Sequence, residues 1–156
     1  MLGAGPGSTR SWPRVSDWRP AESIQRPQPI ALAEVKARNR GLSAHFLVRN
    51  ALQLASFSEQ YDTVLDCGLF HVFDDEERRS FADNLAAIIR PGGRYFMLCF
   101  SELQPGDTGP RRVTQDEIRA SFADGWRVDS IELAEIETTM GSDGVRAWLA
   151  CITRTS

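Results

Sequence analysis

The chain has 156 residues, 42% hydrophobic and 25% charged, the balance of an ordinary soluble globular protein with enough length for one domain and its core. A net charge of −3 and a pI near 5.4 argue against a nucleic-acid footprint. No apolar run reaches membrane-spanning length and no signal-peptide pattern opens the chain, so no membrane partner and a cytoplasmic location are expected. Cys67, Cys99 and Cys151 lack CxxC spacing and sit in apolar segments, which predicts reduced core thiols. Two histidines, His45 and His71, do not make a recognisable metal cluster.

Residues 1–29 differ from the rest. They hold five of the eight prolines and show neither helical nor strand periodicity, so an irregular, disordered segment is expected. A helix is predicted from Pro29 to Arg40, with proline in its first turn, Ile30, Ala33 and Ala37 on one face, and Gly41 as a left-handed C-terminal cap. Ala44 to Val48 reads as a buried strand that delivers Asn50-Ala51-Leu52 to a loop.

The stretch YDTVLDCGLFHVFDDEERRSFADNLAAIIRPGGRYFMLCF, from Tyr61 to Phe100, organises the chain. Asp62 to Asp66 is a short β-rich run, and Arg94 to Phe100 is an apolar run of strand length. Asp74 and Asp75 offer N-cap oxygens to a helix whose first turn carries Glu76 and Glu77. Phe81, Leu85, Ile88 and Ile89 place one apolar stripe against a sheet, Arg90 suits the helix end, and Pro91-Gly92-Gly93 stops it. A βαβ crossover follows.

Downstream, SELQPGDTGPRR is a Gly- and Pro-rich loop with a basic pair, Arg111-Arg112. Thr114 to Glu117 is a capping box opening a short helix with Ile118 and Phe122 on one face. Trp126 to Ile136 reads as a long strand, Met140 to Gly144 as a loop and Val145 to Thr153 as a final strand. Two strands so joined pair antiparallel.

The order and spacing of strand, Asp66, Phe70-His71, amphipathic helix, PGG and apolar strand resemble the middle of a class I S-adenosylmethionine-dependent methyltransferase, over residues 30–156. DCGLFHVF and PGGRYFMLCF look most like bacterial small-molecule enzymes of the thiopurine or heterocyclic-toxin type. The resemblance implies an α/β, Rossmann-like sheet with helices on both faces and a C-terminal antiparallel hairpin. It also implies S-adenosylmethionine as cofactor and a small aromatic or heterocyclic acceptor. The PGG turn and terminal hairpin speak against an NAD-dependent oxidoreductase.

Residue by residue, the resemblance places Asn50, Ala51 and Leu52 against the adenine, with Asn50 where an acid is usual; without it, Asn50 reads as a polar turn residue. Asp66, Cys67, Gly68 and Leu69 would pass beside the methionine part, and Gly68 permits close backbone approach. Phe70, His71 and Phe73 would face the acceptor. His71 is a candidate general base, with a packing histidine as the plainer reading. Arg111 and Arg112 would meet an anionic or π-rich acceptor, or form a solvated basic pair.

The family's first two strands, with its glycine-rich loop and ribose-binding acid, belong where residues 1–29 stand. When Leu2 to Arg10 are written in GC-rich codons and read from the third base, they give GCGTGEHA, the family's loop; Glu22 to Pro29 in the same offset give IDPAPAA, the end of its second strand. The expectation is therefore a frameshifted segment over residues 1–29 followed by a partial methyltransferase domain. Its alternative activity is that of a truncated, non-catalytic remnant with little cofactor binding.

Overall fold

The computed structural model describes residues 27–137 and 144–156, which fall into two compact units, 27–50 and 51–156. Residues 1–26, with most of the expected irregular segment and the shifted-frame motifs, lie outside the described residues, as do residues 140–143 of the expected Met140–Gly144 loop.

In the first unit, helix α1 spans Pro27–Asn39. It ends as expected: Gly41, at φ +64, donates its N–H to the Arg38 carbonyl at 3.1 Å, and Leu42 donates to that of Ala37 at 2.9 Å. This paired pattern closes the last carbonyls of a helix. The predicted strand over Ala44 to Val48 does not form; residues 42–50 have no regular structure. A strand exists only by pairing, and among the described residues the four strands of the sheet lie in the other unit.

The second unit opens with a 3-10 turn, Ala51–Ser56, followed by β1 (Tyr61–Cys67), a 3-10 turn Phe70–Val72, α2 (Asp75–Ile88), β2 (Ile89–Phe100), α3 (Gln115–Ser121), β3 (Trp126–Ile136) and β4 (Val145–Arg154). The sheet order is β1-β2-β4-β3. β1 and β2 are parallel across the α2 crossover, while β4 runs antiparallel to both β2 and β3. The βαβ unit and the terminal hairpin are thus as the sequence implies.

Both expected helix starts are closed reciprocally. Asp74 accepts from the N–H groups of Glu76 and Glu77 while Glu77 accepts from that of Asp74, and Thr114 and Glu117 repeat the device on α3. Each box satisfies donors that a helix leaves free at its start.

The Pro91-Gly92-Gly93 turn differs from the expected strand-free stop. Pairing begins at Tyr61↔Ile89 and resumes at Thr63↔Arg94, so the turn is a bulge inside β2. Arg90 therefore leaves the helix end and bonds Asp62 at 2.8 Å. A Cβ on Gly93 would lie 2.7 Å from Ile89 Cγ2 and 2.8 Å from the Arg90 carbonyl, which is why glycine stands there.

α2 and α3 pack on the sheet face that carries Tyr95, Met97, Cys99, Ala150 and Ile152, all fully buried. Phe81 from α2 and Phe122 from the end of α3 both meet the Tyr95 ring, and Phe122 goes on to Trp126 of β3. On the opposite face Leu65 and Leu149 are 47% and 41% exposed. Cys99 is a core thiol as expected, whereas Cys67 is exposed, because strand alternation turns it away from the Asp66 side.

Candidate active site

Ligands of open α/β sheets bind beyond the carboxyl ends of the parallel strands. Here those ends are Asp66-Cys67 of β1 and Cys99-Phe100 of β2. The turn after β1 is folded by the Asp66 carboxylate. One oxygen accepts the Leu69 N–H at 2.8 Å; the other accepts the Phe70 N–H at 3.0 Å and the Tyr95 hydroxyl at 2.7 Å. Burial raises the Asp66 pKa against those three bonds, and burial with the neighbouring Asp66 pushes the Tyr95 phenol well above its ordinary value. The carboxylate points inward and shapes the turn expected to pass beside the methionine part of the cofactor.

Gly68 sits at φ +86 and donates its N–H to the Leu98 carbonyl at 2.9 Å, tying the turn to β2. Leu69 follows, half-buried. Phe70 and Phe73, expected to face an acceptor, are core residues instead: Phe70 is fully buried against Phe122, and Phe73 packs on Phe81 at 5.0 Å between ring centres. A 3-10 turn has three residues per revolution, so Phe70 and Phe73 share the inward side and leave His71 on another.

His71 is 5% exposed. Its Nδ1 accepts the Phe100 N–H at 3.0 Å, and its ring meets the Phe100 ring edge-on at 4.7 Å. Burial first, then the Arg78 and Arg112 cations, push its pKa down to about 4. A neutral ring whose Nδ1 accepts carries its proton on Nε2. This geometry does not fit the general base expected of His71.

The basic pair is also committed. Arg112 is the staple of its own loop: Nε donates to the Gln104 carbonyl, Nη1 to that of Pro110, and Nη2 to those of Pro105, Gly106 and Thr108, while the guanidinium covers the Phe100 ring at 5.3 Å. Arg111 bonds Asp75 at 2.8 Å and also Glu117. Both arginines of the pair expected to meet an acceptor, or to form a solvated basic pair, have partners within the fold. The loop is further fixed by the Trp148 indole N–H, which donates to Glu102 and to the Val113 carbonyl.

Sequence reading missed Arg78. It is 1% exposed, lies 5.0 Å over the Phe70 ring and bonds Glu117 at 3.2 Å, joining α2, α3 and the loop through the Asp75–Arg78–Glu117–Arg111 chain of alternating charge. The signal was present: Arg78 precedes Phe81 by three and Leu85 by seven, on the apolar stripe itself. Tyr95 was missed likewise, although it alternates with the buried Met97 and Cys99.

Of the expected adenine residues, Ala51 is buried and Leu52 half-buried in the first 3-10 turn, which is tied to α2 by the Ala55 N–H bond to Asn84 at 2.9 Å. Asn50 is exposed and closes the other unit. A shallow cavity lined by Gly92, Arg94, Arg127, Thr153 and Arg154 lies at the opposite, entry end of β2. Arg127 is held there by Asp129, and Arg154 by the Ile89 and Ser156 carbonyls, so it is not a second candidate for the chemistry.

The methyltransferase-domain family profile matches residues 25–93. A curated relative, the 2-heptyl-1-hydroxyquinolin-4(1H)-one methyltransferase of Mycobacteroides abscessus, is 29% identical over 113 residues, 70% of this chain and 50% of its own. Among solved structures, one from work on the conversion of a disulfide bond into a thioacetal group during echinomycin biosynthesis superposes with a TM-score of 0.72 at 31% identity, over 83% of this chain and 64% of that one. These matches support a class I S-adenosylmethionine-dependent methyltransferase domain in this chain. An S-adenosylmethionine-dependent methyltransferase of Methanosarcina mazei shares the fold, with a TM-score of 0.68 at 19% identity, over 83% and 79% of the two chains. The chain spans about half the length of the curated relative it matches.

The described residues fit the family's methyl donor at one end. Gly68 presents bare backbone beyond β1, and a Cβ there would lie 3.5 Å from the His71 ring and cover its edge. Cys67, Gly68, Leu69, the His71 ring and Phe100 come together at this end of the two parallel strands.

Proposed function

We propose that the protein transfers a methyl group from S-adenosylmethionine to a small aromatic or heterocyclic acceptor. The observation that supports this most is the Cys67-Gly68-Leu69 turn, held by Asp66 and Tyr95 beside the His71–Phe100 pair at the carboxyl ends of two parallel strands. The curated relative's name, a hydroxyquinolinone methyltransferase, points to the same acceptor class.

When bound, the cofactor supplies an electrophilic methyl on sulfur. The chain's part is positioning: Gly68 allows close approach, and Leu69 and Phe100 give apolar walls that exclude water. Asn50, Ala51 and Leu52 remain our candidates for the adenine, and Asp66 acts through the turn it folds.

Calorimetric titration of residues 1–156 with S-adenosylmethionine tests the reading, beside a chain carrying the shifted-frame sequence over residues 2–29. S-adenosylhomocysteine release is then followed with hydroxyquinolinone and heterocyclic thiol acceptors. Micromolar binding and turnover by the 1–156 chain are expected. Binding confined to the shifted-frame chain would support the truncated-remnant reading, and binding by neither would end the proposal.

A further inference from the structure

We propose that His71 is a fixed Nε2–H donor that reads a hydrogen-bond-accepting atom of the methyl acceptor, and that the acceptor class is one that arrives already deprotonated, such as an acidic ring hydroxyl, N-hydroxyl or thiol. The proposal rests on the methyltransferase reading above for its ligand, and on geometry for the residue.

Three observations carry it. The Phe100 N–H occupies Nδ1, so the neutral ring has only Nε2–H to offer. That atom lies beside Gly68, where a Cβ would stand 3.6 Å from it, so glycine leaves room at its edge. The charged groups that act on the ring are cations, Arg78 from α2 and Arg112 from the loop, and they favour negative charge nearby. The other ionisable groups around the turn are engaged or neutral. Asp66 holds Leu69, Phe70 and Tyr95; Glu102 holds Trp148; the Cys67 and Cys99 thiols are both pushed up, Cys99 to about 12. An acceptor anion needs none of them: its lone pair forms the new bond to the methyl carbon, the carbon–sulfur pair stays on sulfur, and no proton moves.

Nitrogen-15 spectra of histidine-labelled protein, assigned with His45→Gln, test the residue without cofactor or acceptor. The expected result is a neutral Nε2–H tautomer for His71 from pH 5 to pH 9, about the range in which an ordinary histidine would titrate. An Nδ1–H tautomer, or protonation near the ordinary value, would overturn the assignment whether or not the protein binds S-adenosylmethionine. With turnover in hand, kcat/KM against pH should rise with the pKa of each acceptor and not with a common group. In His71→Leu the preference for a hydrogen-bonding acceptor over its isostere should fall by about tenfold or more, and His71→Gln, which keeps an acceptor for Phe100 and a donor beside Gly68, should restore it. A common inflection shared by all acceptors would refute the donor role.

Discussion

Replacing Arg78 by methionine should leave the fold as stable or make it more so, while alanine should destabilise it. The guanidinium is 1% exposed, and its Nε and Nη2 have no hydrogen-bond partner. Each such group costs about 1–3 kcal/mol to bury. Against that, the charge-assisted bond from Nη1 to Glu117 returns about 1.5–3 kcal/mol and the contact with the Phe70 ring about 1–2 kcal/mol. The balance lies near zero or below it.

Removing one partner of a buried pair is normally costly because the other charge is stranded. Glu117 escapes that penalty, since it still bonds Arg111 and accepts from both the N–H and the hydroxyl of Thr114. Methionine keeps the stem that fills the space beside Phe70, so Arg78→Met should fall between no change and a gain of about 2 kcal/mol. Arg78→Ala empties that space and should lose about 2–4 kcal/mol. Urea unfolding at pH 7 reads both. Equal losses in the two variants would show that the charge, not the packing, holds the helix, and would refute the reasoning.

Other outcomes follow from the same geometry. Arg112→Ala removes the donor to five loop carbonyls, so limited proteolysis within residues 101–114 should quicken by about tenfold or more while the urea midpoint moves little. Gly93→Ala places a methyl against two backbone carbonyls and Ile89 and should cost about 2–3 kcal/mol, whereas Gly92→Ala meets only its own φ of +82 in open space and should cost about 1 kcal/mol. Because His71 is held neutral, with its pKa lowered from 6.5 to about 4, the unfolded chain binds the extra proton first. Stability from this group is full above pH 6.5 and is lost as pH falls toward 4, by about 3 kcal/mol over the window. His71→Gln should flatten that slope in urea titrations at successive pH. Asp66, raised by burial, pulls the opposite way above its ordinary 3.8, but it is common to both proteins and cancels in the difference; an unchanged slope in the variant would sink the account.

The local rules of the chain were legible where they are local. The Asp74 and Thr114 boxes, the Phe81-Leu85-Ile88 stripe and the Gly41 cap follow from neighbours within one or two turns, and all form. The strand expected over residues 44–48 failed because pairing is a property of two segments and the sequence shows only one. Two of the residues expected to face an acceptor, Phe70 and Phe73, lie in the core. A 3-10 turn between β1 and α2 turns Phe70 and Phe73 inward, and no periodicity in GLFHVF distinguishes that from a loop aimed at a ligand.

The same limit applies to charge. Arg111-Arg112 in a Gly- and Pro-rich loop reads as a pair available to a substrate, yet a loop of that composition leaves carbonyls without helix or sheet partners, and a guanidinium with five donors in a fork is suited to collecting them. Arg112 does so while covering the ring of Phe100, and Arg111 closes the Asp75–Glu117 chain. The Arg112 charge still reaches His71, where after burial it acts with Arg78 to hold the imidazole neutral. Two cations thus act on the ring beyond β1: Arg112, whose hydrogen bonds are spent on its loop, and Arg78, whose Nε and Nη2 have no partner. On the reading proposed above, these cations favour an anionic acceptor beside the His71 ring.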